Sequence, residues 1–442
     1  MSLSSKVKEF IKYDFNQYKQ PLVFAISLVI SILKLFGKHQ LAFKITASTF
    51  RSGWKGSEKL AQKEINFYFV QKPNLGSKIA TKEINDIEPQ SNTERLFRKP
   101  DQMVGKIVTV ICNPTESSKG VVIVKYSVYF GLFARFFDIE KISSKYYIIL
   151  EPSWAGLCEL PIFFYTSLKS PVFVQTYEER DFELISNSKT NLIPIQIGPS
   201  WFINHEVFVP QQLQKLYDVI MVAAWAKFKR HDEFFKAIKP CIERNKDFKL
   251  VLVGYPVDMT KEEIRQLTQK HGIEENVTIF EKISRDKVSE VLSSSKVNVL
   301  WSKFEGNNRA IIEGMFCDIP VVLREGHNYG EHYDFINEMT GCFANEQTLS
   351  DAVEEIIDNL DSLAPRAYVL NNRNAIQATR AIEKCIANQE GVSCDMWHEK
   401  LAVKTNDLVG MSYLKADPQH FAKANDEIKK CPSGNTHIQF IS

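Results

Sequence analysis

The stretch "SKFEGNNRAIIEGMFCDIPVVLREG", residues 302–326, decides how the chain is read. It places Glu305 in a polar turn with Gly306, Asn307, Asn308 and Arg309 behind it, and Glu313 among Ile311, Ile312, Met315 and Phe316. The apolar spacing predicts a helix over 307–317, a strand "KVNVLWS" (296–302) before it and a strand "PVVLR" (320–324) after it. In an open parallel sheet, ligands bind outside the carboxyl ends of the strands, where helices begin. Glu305 therefore falls in a crest loop. Gly306 allows close backbone approach, and the amides of Asn307, Asn308 and Arg309 form a helix start suited to a phosphate. A carboxylate placed as Glu313 is, amid core residues, needs a hydrogen-bonding or charged partner. A ribose diol fits that need, so the stretch has the outline of a nucleotide-sugar site.

Outward from it, strands and helices alternate: strands at 218–225, 248–256 and 276–281, helices at 230–245, 260–272, 284–295 and 348–360. Thr260 with early acids and Gly272 brackets one complete helix. Upstream, "INFYFV" (65–70), "KIVTVIC" (106–112), "GVVIVKY" (120–126), "YYIILE" (146–151), "PVFVQT" (171–176) and "NLIPIQI" (191–197) have the composition of strands buried in a parallel sheet. Residues 71–105, polar and broken by prolines, suggest a surface loop. The expected fold is α/β, with two Rossmann-like domains facing a cleft: an N-terminal domain over 1–206, a C-terminal domain over 207–390, and a tail over 391–442.

Composition limits the function classes. With 442 residues, 55 Lys+Arg and 53 Asp+Glu, the net charge of +2 excludes a bulk nucleic-acid binder. Eight cysteines without C-x-x-C spacing suggest buried thiols in a reducing cytosol. No G-x-G-x-x-G follows an early strand, which removes a dehydrogenase. The apolar run Pro21–Leu33 is too short to span a bilayer. With its flanking lysines it suits a helix lying on an anionic leaflet; the plainer reading is a helix packed on its own domain.

The quoted segment resembles the Glu-x7-Glu signature of retaining family-4 glycosyltransferases, the group 1 glycosyl transferases of GT-B fold. The resemblance implies that Glu305 lies beside the donor sugar, that Glu313 holds the ribose, and that no metal or cofactor is required beyond a UDP- or GDP-sugar substrate. The block "VAAWAKFKRHDEFFKAI" (222–238) is similar to the family's diphosphate-gripping segment. Lys229 matches its lysine, but Ala224 stands where its arginine is expected; Lys227, Arg230 or Arg309 would supply the charge, Arg309 being favoured for its place at the helix start. Residues 198–212 and 329–343 resemble the family's linker and its stretch ending in Thr-Gly. The implied partners are a nucleotide sugar and a hydroxyl acceptor (glycan, lipid carrier or small molecule), in the cytoplasm or at the inner membrane face. In the N-terminal half, Glu151 and Trp154 of "LEPSWAG" (150–156) are candidate acceptor contacts, although a Pro-containing turn with a buried Trp is the plainer reading of that stretch; Lys125 and Ser127 of "KYSVYFG" (125–131) are further candidates. His231 reads as a solvated helix cap. An epimerase, or a binding scaffold without turnover, would share the same layout.

Overall fold

The computed structural model describes residues 19–326, 328–329, 333–392, 400–407 and 410–434. The chain divides into two compact units, residues 200–378 forming one and residues 1–199 with 379–442 the other. Both are α/β, as two Rossmann-like domains require.

In the first unit a five-stranded sheet runs β1 (Val108–Cys112), β2 (Gly120–Lys125), β3 (Tyr146–Glu151), β4 (Val172–Gln175) and β5 (Leu192–Ile195), neighbours in that order. Strands β2 to β5 are parallel, whereas β1 pairs antiparallel with β2. Strands β1 to β4 are buried at every position, which accounts for their unbroken Val, Ile and Phe content. Sequential order without reversal gives this sheet no topological switch point.

Two expectations fail here. Residues 65–70 are helical, not a strand: helix Ser57–Ile65 continues as a π-helix over Asn66–Gln71. Tyr68 and Phe69 are buried there against Phe43 and Phe163, so aromatic packing outweighs β propensity. Residues 71–105 are not a loop either, but hold helices Pro73–Asn85 and Glu94–Arg98. Pro73 sits in the first turn of its helix, where the missing N–H costs nothing. Helices Lys19–Leu35, His39–Arg51, Ser57–Ile65 and Pro73–Asn85 pack on one another.

The tail also belongs to this unit. Tyr147 of β3 donates to Glu390 at 2.8 Å, and the Ala402 amide donates to the Ile111 carbonyl at 2.8 Å. Hairpin β14 (Lys404–Asn406) and β15 (Met411–Tyr413) follows, then helix Ala422–Lys429.

The second unit carries a six-stranded sheet in the order β13-β11-β9-β6-β7-β8, every pair parallel. The strands are β6 (Tyr217–Val222), β7 (Leu250–Gly254), β8 (Val277–Glu281), β9 (Ser295–Leu300), β11 (Val321–Arg324) and β13 (Gly341–Ala344). Counted within the unit, that is the doubly wound order 3-2-1-4-5-6. Its reversal lies between β6 and β9, where consecutive crossovers leave to opposite sides. A short parallel pair, β10 (Phe304–Glu305) with β12 (Asn328–Tyr329), sits at the crest. The helices match the sequence reading closely, and Thr260 with Glu263 forms a complete capping box. Cys112, Cys158, Cys241 and Cys317 are buried and form no disulfide among the described residues. Cys394, like residues 330–332 of the Thr-Gly stretch, lies outside the described residues.

Candidate active site

The switch point of the second sheet brings two loops together. One follows β6 and carries Lys229; the other follows β9 and carries Glu305. The Lys303 amide donates to the Phe228 carbonyl at 2.6 Å, and the Phe228 and Phe304 rings stack at 4.7 Å. Beside this seam the Lys229 ammonium pairs with the Glu305 carboxylate, each side chain only 10% exposed. The Ser302 hydroxyl donates to the same carboxylate at 2.6 Å. Lys229 closes a 3₁₀ turn over Lys227–Lys229, and Arg230 follows in the left-handed region at φ 59°. That conformation aims helix His231–Arg244 back along the sheet.

Glu313 lies on helix Arg309–Phe316, its side chain 14% exposed. Burial raises its pKa, against the pull of Arg309 and Arg285. The Arg309 guanidinium lies 3.6 Å from it, one turn earlier on the helix. The helix packs closely on the sheet: the Asn298 side-chain amide donates to the Ala310 carbonyl at 3.1 Å, and a Cβ on Gly314 would stand 2.6 Å from that Nδ2. Glycine is needed there.

The helix start is braced by protein. The Asn308 side chain caps it by accepting from the Ile311 amide at 3.2 Å. The Asn308 amide meets the Tyr333 hydroxyl at 3.4 Å, and that hydroxyl donates to the Gly306 carbonyl at 3.3 Å. The Asn307 side chain accepts from the Ser200 amide. Tyr333 lies within the 329–343 stretch, but its bracing role had no sequence signal, because its partners are backbone atoms 25 and 27 residues away.

The candidates for the missing arginine have separate fates. Ala224 precedes Trp225 in the β6 loop; Lys227 is exposed. Arg230 donates to Glu346 at 2.8 Å, and Arg324 donates to the same carboxylate at 2.8 Å. Burial opposes ionisation of Glu346, yet these two guanidiniums hold it below the ordinary carboxylate range. Arg309 stands at the helix start beside Glu313. His231 is buried rather than a solvated cap, and its Nδ1 has no hydrogen-bond partner among the described residues. Burial, with the nearby Lys229 charge, lowers its pKa to about 4.

In the first unit the acceptor candidates are tied up within the protein. Glu151 is buried at the end of β3 and paired with Lys404, with Asn406 donating to it at 2.8 Å and Gln175 at 3.3 Å. Burial would raise its pKa, but Lys404 and Lys125 hold it low. Lys125 donates to the Gly410 carbonyl at 2.7 Å, and Ser127 and Ser153 bond reciprocally at 3.1 Å. The Trp154 indole donates to Glu159 at 2.8 Å and lies 5.0 Å from the Arg51 guanidinium. The returning tail thus fills the crest of β3.

Residues 205–373 match the family model described as glycosyl transferases group 1. No curated protein matches the chain. Among solved structures, it is similar to Alr3699/HepE of Anabaena in complex with UDP, at 11% identity over 68% of this chain and 84% of that one, TM-score 0.47. It is similar also to the lipopolysaccharide outer core galactosyltransferase WaaB, at 14% identity over 72% and 82%, TM-score 0.42. A third is the sucrose-phosphate synthase of Thermosynechococcus elongatus, at 14% identity over 61% and 73%, TM-score 0.44.

Proposed function

We propose that this chain is a retaining, metal-independent glycosyltransferase that moves a sugar from a nucleotide-sugar donor to a hydroxyl acceptor. One observation carries the reading: Lys229, Glu305 and Glu313 gather on the loops and helix beside the reversal of a doubly wound sheet, within the segment that matches the group 1 family model. Lys229 and Arg309, with the positive end of helix Arg309–Phe316, receive the diphosphate and stabilise it as it leaves. Glu313 accepts from the ribose hydroxyls; its half-compensated carboxylate gains a second partner there. Glu305 faces the donor sugar.

The acceptor oxygen attacks the anomeric carbon as the bond from that carbon to the phosphate oxygen breaks. The acceptor's proton passes to the departing phosphate on the same face, so configuration is kept. A same-face route is favoured over a glycosyl-carboxylate intermediate because Glu305 is engaged by Lys229 and Ser302 rather than free to act as nucleophile.

A thermal-shift screen of UDP-, GDP- and ADP-sugars tests the reading. One donor should stabilise the protein, and Glu313→Ala should weaken that donor by about 1–3 kcal/mol, roughly 5- to 150-fold. Glu305→Ala should keep donor affinity and lose turnover. Unchanged donor affinity in Glu313→Ala removes the ribose role. Donor binding without transfer across an acceptor panel favours the scaffold reading instead, and consumption of donor without acceptor favours an epimerase.

A further inference from the structure

Helix Lys19–Leu35 is apolar on every side, which in a water-soluble domain belongs to a fully covered helix. Among the described residues, one side of it is covered and the other is exposed. Val23 and Ile30 are buried against Ala42 and Leu60, while Phe24, Leu28, Ile32, Leu35 and Phe36 form an uncovered ridge on the other side. Their exposures reach 66% at Phe24, 86% at Leu35 and 76% at Phe36. A contiguous apolar surface of this kind on a folded unit marks a contact with something apolar.

We propose that this ridge docks on an anionic lipid bilayer, the helix lying in the plane of the interface. Two observations choose lipid over protein. The first is charge: residues 20–85 hold ten Lys or Arg against three Asp or Glu, an excess of seven positive charges in a chain whose total is +2. One acid, Glu64, is buried under Lys34, so the exposed lysines at 38, 55 and 72 dominate around the ridge. Lys38 lies two residues beyond Phe36, and Lys72 lies 5.1 Å from Phe67, on which Lys34 also stacks. Basic side chains therefore gather at the C-terminal end of the ridge, where they can meet anionic headgroups. A second copy presenting the same face would bring like charges together.

The second observation concerns the hydroxyls. The polar side chains between Pro21 and Leu33 are Ser27 and Ser31. Ser27 donates to the Phe24 carbonyl at 2.7 Å and Ser31 to the Ser27 carbonyl at 2.9 Å. Neither loses a hydrogen bond on leaving water. No helix of the described residues is long and apolar enough to cross a membrane.

The test is co-sedimentation of the full chain with vesicles of phosphatidylcholine alone or with about a third phosphatidylglycerol, at low and high salt. The wild type should pellet with the anionic vesicles, less so at high salt. The triple variant Phe24→Ser, Ile32→Ser, Phe36→Ser should reduce partitioning at least about tenfold while far-UV circular dichroism and donor-induced thermal shift stay unchanged. Failure to pellet with either vesicle, or equal pelleting of the triple variant, overturns the proposal. So does a vesicle-free dimer, seen in sedimentation velocity, that the same variant abolishes. The donor-site reading stands or falls separately.

Discussion

Replacing Lys229 by Met leaves the Glu305 carboxylate, 10% exposed, without its ammonium partner and with the Ser302 hydroxyl still bonded to it. Removing one partner of a buried pair costs about 3–5 kcal/mol, chiefly because the remaining charge stays desolvated. Glu305→Gln strands the ammonium in the same way. Exposure of a tenth lets little water in, so we take the lower figure, about 3 kcal/mol for each single change. The double variant removes both charges and keeps similar volumes, so its loss should be about 2 kcal/mol rather than the sum of the singles, a coupling of order 3–4 kcal/mol. In a unit spanning Ser200–Ala378, each single change should lower the melting transition by roughly 6–12 °C. Differential scanning calorimetry of the four proteins measures this directly, and saturating donor separates loss of fold from loss of binding. Additive losses, with the double variant least stable of all, would refute the view that these two charges compensate one another.

Two further outcomes concern acidity. His231 has its folded-state pKa depressed to about 4 by burial and by Lys229, so its stabilising contribution is whole above about 6.5 and is lost as pH falls through 4. The difference amounts to about 3 kcal/mol; His231→Gln should flatten the acid limb of the melting curve, and a parallel curve would contradict the burial argument. Glu178, at the start of the helix Glu179–Ser186 that follows β4, is the opposite case. Burial raises its pKa to about 7 despite Arg180, so its contribution is whole below about 4.5 and is lost as pH rises through 7. Glu178→Gln should therefore gain on the wild type between pH 5 and pH 8, by up to about 3 kcal/mol, in thermal melts across that range.

Much of the second unit was legible in its order of residues. Helix periodicity, the Thr260 cap and Gly272 are local properties, and a strand buried on both faces needs apolar residues at every position, so the boundaries from β6 to the helix at 349 read out within a few residues. The pairing of Glu305 with Glu313 on one strand–helix connection was legible for the same reason, since eight residues fix their separation. The first unit resisted because its decisive contacts are not local. Residues 65–70 carry a strand composition, but aromatic neighbours from helices on either side hold them helical. The tail looked featureless, yet Lys404 and Asn406 answer a buried carboxylate at position 151.

Sequence by itself determined which segments coil, which extend and which carboxylates lie near a helix start, because those depend on residues within a turn or two of each other. Only the tertiary structure decided that Lys229 meets Glu305 across a sequence separation of 76, that Tyr333 braces the loop at Asn308, and that one side of an apolar helix stays exposed. Such facts follow from strand order and layer packing, in which the free energy of burying a side chain depends on surfaces brought from far along the chain.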